Sequence, residues 1–218
     1  MKRLIVWAVG LTLASTFIIL KIPGANTQFQ NSFLIWNLFL AALPLVFAYL
    51  FEVLPRPIHW LALPVWLVFL PNSFYILTDV GHILNIYRHS PEIGRQFLVL
   101  NGDNLGDVLS WQGLKFLCLA GAGWCYGVLS VVMIWRRLEL SRWRLTLFEL
   151  IICFLSGVGV ALGRFYRWNT WDLLYDFDGI SRDLREVFTT TTGQATILVF
   201  AVLIFCTLRL GQEIKPRT

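Results

Sequence analysis

The chain has 218 residues, a formal net charge of +5, and a composition that is 57% hydrophobic and only 14% charged. Soluble domains average about 45–50% apolar and about 25% charged, so this balance excludes an ordinary water-soluble domain. The basic residues flank apolar runs and form no stripe, which argues against nucleic acid as a partner and for a role in membrane topology.

A helix that crosses a bilayer needs about 20 mostly apolar residues. In chain order, six stretches qualify: Leu4–Leu20, Phe33–Phe51, Ile58–Leu77, Trp111–Trp135, Leu145–Leu162 and Thr192–Leu210. The predicted fold is therefore all-α, a polytopic membrane helix bundle of about six transmembrane helices, with residues 1–218 forming a single transmembrane helical domain. Lys2 and Arg3 precede the first stretch in the manner of a signal peptide. Its apolar run is long for one, and no clear Ala-x-Ala site follows, so it is read as a retained helix.

Six spans put the N-terminus, the Glu52–Pro57 and Arg136–Arg144 links and the C-terminal tail on one side. That side carries ten of the eighteen Lys and Arg residues, a thin majority. The density is more telling: four arginines crowd the nine-residue Arg136–Arg144 link, and short loops are where the positive-inside rule acts. Both termini are thus expected in the cytoplasm. Thr78–Ser110 and Gly163–Thr191 then face outward, with nine of the thirteen acidic residues.

The third stretch ends in the first unusual segment, Leu70–His82, reading LPNSFYILTDVGH. Pro64 and Pro71 lie in this span, and a proline inside a helix removes one backbone hydrogen bond and kinks the chain. A kink or an interruption is expected near Pro71, with Asn72 or Ser73 partnering the freed carbonyl. If the helix resumes, Asn72, Tyr75, Asp79 and His82 recur at i, i+3, i+7 and i+10 and share one face. Two readings stand side by side. In one, Asn72 repairs the kink while Asp79 and His82 are solvated at the helix end. In the other, the four line a ligand-binding site in which Asp79 and His82 are candidate catalytic acid–base groups. Asp79 and His82 would suit half a metal site, but no matching His/Asp/Glu pair stands at ligand spacing. No metal and no other cofactor is expected.

The fifth stretch ends in the second, Gly157–Asp172, reading GVGVALGRFYRWNTWD. Gly159 and Gly163 form G-x-x-x-G, a spacing that allows close helix approach but arises often by chance in apolar sequence. Arg164, Arg167, Trp168, Asn169, Trp171 and Asp172 then crowd into nine residues. Two arginines on the outward side break the positive-inside trend. They could snorkel beside the interfacial tryptophans, pair with Asp79 or Asp172, or bind an anionic group through the planar guanidinium fork. Both segments end outward-going helices, so they are expected to meet in one site. Arg164 or Arg167 should lie within salt-bridge distance of Asp79 or Asp172, with Asn72, His82 or Asn169 completing the network.

Weaker features surround these. Asn101–Asp107, NGDNLGD, has turn composition. Lys115 and Glu149 lie near span ends, where they are expected to snorkel, and Thr189–Thr192 offers hydroxyl caps for the last helix. Cys118, Cys125, Cys153 and Cys206 fall singly inside apolar runs, as small fillers of helix interfaces.

The two segments LPNSFYILTDVGH and GRFYRWNTWDLL, about eighty residues apart, resemble the bacterial integral-membrane family catalogued as the domain of unknown function DUF1361. The resemblance spans roughly Asn31 to Leu208. Its two elements fall on Pro71, Asn72, Tyr75, Thr78, Asp79 and His82, and on Gly163, Arg164, Arg167, Trp168, Asn169, Trp171 and Asp172. The resemblance implies a multi-pass protein of a bacterial cytoplasmic (inner) membrane, and it implies no activity.

Three functions fit the residues. One is an enzyme or ligand-binding protein with a site at the extracytoplasmic face, built from Asn72, Tyr75, Asp79, His82, Arg164, Arg167, Asn169 and Asp172. It would take an anionic ligand or a lipid headgroup. The second is a transporter component, and the third an auxiliary or assembly subunit of a membrane complex. Membrane lipids are partners in each, and a homo-oligomer or a membrane-protein partner fits the last two. A cavity between the motifs favours the first, a through-path the second and a closed, fully paired network the third.

Overall fold

In hydrocarbon the backbone has no water to bond, so long apolar runs close their hydrogen bonds internally as helices. The computed structural model describes residues 2–21, 28–79 and 105–213. Their regular structure is all helical: α1 (Lys2–Lys21), α2 (Gln28–Val53), α3 (Ala62–Tyr75), α4 (Leu105–Leu138), α5 (Arg142–Tyr166), α6 (Phe177–Thr189) and α7 (Thr191–Glu213). Short 3-10 turns at Ile58–Leu61 and Ile76–Asp79 flank α3, and a third, Thr170–Leu174, precedes α6.

Five segments among the described residues are long and apolar enough to cross a membrane: Leu34–Val53, Ile58–Asp79, Leu114–Leu138, Arg142–Tyr166 and Thr191–Leu210. The protein is a polytopic bundle of these helices. The first apolar stretch forms α1, which packs along α4. There the hydroxyls of Thr12 and Tyr126 share a hydrogen bond. Two connections differ from expectation. Helix α4 begins at Leu105, so the end of the NGDNLGD segment is helical, its first four residues lying outside the described ones. The Gly163–Thr191 connection builds the amphipathic α6, which buries Gly179, Ile180 and Val187. Thr190 then accepts the backbone N–H of Gly193 at 3.3 Å, a hydroxyl cap on α7 as its sequence suggested.

Helix α3 is the pillar, in contact with α2, α4 and α5. Trp66, Leu70 and Phe74 are buried in a core shared with Val128, Val131 and Ile134 of α4 and Ile152 and Val160 of α5. Gly123 and Gly127 let α4 come close, since a Cβ at 127 would sit 2.7 Å from the Phe74 ring. Polar groups on α3 are spent on neighbours: Trp66 Nε1 donates to Ser130 at 3.0 Å, and Ser73 Oγ to the Ala41 carbonyl of α2 at 2.6 Å. The expected interruption at Pro71 is displaced. The α-helix runs through the proline and tightens into a 3-10 turn only at Ile76. Neither Asn72 nor Ser73 takes the carbonyl that Pro71 frees: Asn72 bonds the Phe69 carbonyl, and Ser73 is committed to α2.

Lys115 and Glu149 do not snorkel. Each is at most 1% exposed. Glu149 turns inward because α7 brings a partner: Arg209 Nη2 lies 2.7 Å from its Oε2 and donates to Thr146 Oγ1 at 2.8 Å. The pair ties α5 to α7. Removing one member of such a buried pair strands the other, at a typical cost of about 3–5 kcal/mol. Glu149→Ala should therefore lower the unfolding temperature in detergent, with a loss of about 3 kcal/mol because Arg209 is partly exposed. Adding Arg209→Leu should restore part of it. A wild-type transition for Glu149→Ala would show that the pair holds nothing together.

Candidate functional site

Trp66 stacks on Phe148 at 6.4 Å, Pro71 meets Gly159 and Tyr75 meets Gly163, so α3 and α5 run in the same direction. Their C-terminal ends, and hence the two motifs, emerge on the same side. The G-x-x-x-G pair sets the spacing. A Cβ at Gly159 would lie 2.4 Å from the Pro71 ring, and one at Gly163 would lie 3.2 Å from Tyr75. The smallest residues of one motif thus seat the ring side chains of the other.

Beyond Tyr166 the chain reverses through Arg167, whose φ of 58° is left-handed. A non-glycine residue pays a conformational penalty there of roughly 1–2 kcal/mol, so its surroundings must hold it. They do so on both sides. Asp172 Oδ2 accepts the backbone N–H of Asn169 at 2.7 Å, part of a reciprocal cap on the Thr170–Leu174 turn. Trp168 Nε1 donates to Asp183 of α6 at 2.8 Å. The segment from Arg167 to Leu174 then forms a strap. Asn72 Nδ2 donates to Thr170 Oγ1 at 2.9 Å, pinning the strap to α3, and Trp171 reaches the Trp36 ring of α2 at 6.2 Å.

Under the strap lies a cavity of about 350 Å³. Helix α2 lines it with Asn37 and Leu40; α3 with Val68, Pro71, Asn72 and Tyr75; α5 with Gly159, Leu162 and Gly163. Arg167, Trp168, Asn169, Thr170 and Leu173 come from the strap and Ile180 from α6. This size is at the lower end for small-molecule sites, which run about 300–1,000 Å³. The lining mixes apolar walls with carboxamides, a phenol and one arginine, and contains no acidic residue among those described.

The two motifs therefore meet, but the residues divide. Asn72, Tyr75, Arg167 and Asn169 line the cavity. Asp79 is fully buried on the 3-10 turn behind it, where Asn37 Nδ2 donates to its Oδ2 at 2.8 Å. Arg164 is half-buried on the last turn of α5 and is absent from the described lining. Asp172 is occupied by the strap's own cap. His82 lies outside the described residues. Among the described residues no salt bridge joins Arg164 or Arg167 to Asp79 or Asp172, contrary to expectation. The reason is local: the 3-10 turn carries Asp79 toward α2, and the backbone of Asn169 captures Asp172 before an arginine can. Two contributors escaped the sequence reading. Asn37 is the only side-chain amide between Phe33 and Phe51, a signal that was available. Thr170 sits between more conspicuous motif residues.

The chain belongs to the family described as protein of unknown function (DUF1361), which matches residues 36–208. No curated protein and no solved structure matches it.

The glycine contacts make a discriminating test. Gly159→Ala forces a methyl into the Pro71 ring and should destabilise the protein by about 1–3 kcal/mol, as overpacking does. At Gly10 of α1 a Cβ meets nothing within 4 Å, so Gly10→Ala should leave the unfolding temperature unchanged or raised. Equal thermal transitions for the two variants would mean that α3 and α5 are not in this register.

Proposed function

We propose that this member of the DUF1361 family is a multi-pass protein of the bacterial cytoplasmic (inner) membrane whose cavity binds an anionic ligand, such as a lipid headgroup. The lining carries the proposal. Arg167 supplies a planar donor fork suited to phosphate or carboxylate. The carboxamides of Asn37, Asn72 and Asn169 and the phenol of Tyr75 supply neutral hydrogen-bonding groups, with no acidic side chain among the described lining residues to repel an anion. Two features set the alternatives back. An assembly clamp calls for a closed, paired network, whereas this cavity is open space lined by an arginine with no acidic partner among the described residues. A transport route calls for a path from end to end, whereas the described lining clusters beneath the strap.

We assign both termini to the cytoplasm, α1 as a sixth span, and the cavity to the extracytoplasmic face. The four arginines at Arg136–Arg144 support this orientation, since Arg167 then lies opposite the arginine-dense link.

Two experiments test these assignments. Unfolding temperatures of the purified protein in neutral detergent should rise with phosphatidylglycerol, glycerol phosphate or inorganic phosphate, by up to about 2.7 kcal/mol of linkage at a hundredfold excess over Kd. Arg167→Ala should abolish the response. If no anionic probe stabilises the protein, or Arg167→Ala responds like wild type, the binding role is wrong. For topology, a cysteine placed at exposed Ser141 on a cysteine-free background should resist an impermeant thiol reagent in intact cells. Its labelling would invert the orientation and move the cavity inward.

A further inference from the structure

The cavity has a direction that its polar residues alone do not reveal. Polar groups gather under the strap, while Val68, Leu40 and Leu162 form an apolar part of the lining. Val68 is also 38% exposed, and it continues along α3 into Val65 at 37% and Leu61 at 71%. Spacings of three and four residues place these side chains on one face of the helix, one turn below another. On α5, Leu155 stands one turn before Gly159 and is 40% exposed. Asn72 and Val65 are separated by about 10 Å along the axis at 1.5 Å per residue. An apolar track thus leaves the cavity and descends the exposed side of a membrane-spanning helix, the side that lipid chains can reach.

The strap gives the same orientation. Leu174 and Tyr175 are more than 80% exposed and Phe177 is 68% exposed, directly after the lining residue Leu173. Exposed leucine and aromatic side chains beside Trp36 and Trp171 are what an interfacial segment presents to headgroups and upper acyl chains. Volume supplies the last constraint. A space of about 350 Å³ takes a headgroup or other small molecule, and the chains of a membrane lipid must leave it.

We infer that the ligand is an anionic phospholipid that enters sideways from the bilayer, with its phosphate at Arg167 beneath the strap and an acyl chain along Val68 and Val65 of α3 and Leu61 of the turn before it. This deepens the anion-binding proposal and rests on it. A water-soluble phosphate ester offers the same headgroup chemistry, and the test separates the two sources.

Purified protein is mixed in detergent with phosphatidylglycerol carrying a mid-chain diazirine, irradiated, and mapped by mass spectrometry; affinities for unmodified phosphatidylglycerol and for glycerol phosphate are measured in parallel. Crosslinks are expected between Leu61 and Val68, reduced roughly tenfold by Arg167→Ala, the loss expected for a charge-assisted contact. Val65→Trp, at a position outside the cavity lining, should weaken phosphatidylglycerol by a similar factor and leave glycerol phosphate unchanged. Leu61→Trp, at a more exposed position, serves as the second variant should the first fail to fold. If glycerol phosphate binds as tightly as the lipid and neither tryptophan matters, sideways lipid entry is wrong while anion binding survives. If Arg167→Ala alters the binding of neither probe, both proposals fall together.

Discussion

The contact on which the site depends is the seating of Pro71 against Gly159. A helix pair in lipid gains no hydrophobic driving force from association, so close packing has to supply the attraction, and small residues are what permit it. With no Cβ at Gly159 the proline ring lies against the α5 backbone. One turn on, Tyr75 rests over Gly163 in the same way. Because the two helices run in parallel, this contact also decides that the chain leaving α5 passes above α3. The bond from Asn72 to Thr170 is a consequence of that approach. A proline commonly regarded as a helix breaker here contributes a flat apolar surface, and the helix continues through it.

The electrostatics follow from where the strap's own backbone makes its demands. A reversing chain exposes N–H groups that need acceptors, and Asp172 answers one of them at 2.7 Å. Asp183 is drawn to the Trp168 indole and to Arg182. Asp79, buried on the 3-10 turn that ends the third span, accepts a hydrogen bond from Asn37 of α2. The acids nearest the cavity are therefore committed to structure, while Arg167 is fixed in a left-handed conformation that aims the chain over the opening. A cation lining the cavity whose neighbouring acids are otherwise engaged is a reason to look for an external anion.

Most of this architecture was legible in the sequence where a single strong term dominates. Twenty-residue apolar runs have one outcome in a bilayer, and five spans stand close to their expected bounds. The meeting of the two motifs followed from span parity, because the ends of the third and fifth helices must share a side. What failed were inferences that balance several comparable terms. Pairing Arg164 or Arg167 with Asp79 or Asp172 assumed that opposite charges would find each other. It ignored the competing backbone of Asn169 and the carboxamide of Asn37, each as good a partner and closer in space. The amphipathic α6 was missed because a helix of thirteen residues among charged neighbours falls below the length that signals a span. Asn37 was missed because a lone amide in an apolar run has no motif to announce it.

A comparison within the protein distinguishes a polar group that holds the fold from one available to a ligand. Glu149, with Arg209 of α7 against it, sits about 26 Å along α5 from the strap end, at 1.5 Å rise per residue. There the acid is buried, the guanidinium meets it at 2.7 Å, and Thr146 takes a further donor. That centre is a tie between helices. At the strap the same residue type has been given surrounding amides, a phenol and open volume in place of a carboxylate. Arg167 is exposed where it lines the cavity, so its donor fork is open to a group from outside the chain. On the proposed reading, one arginine is completed from inside the chain and the other by an external group.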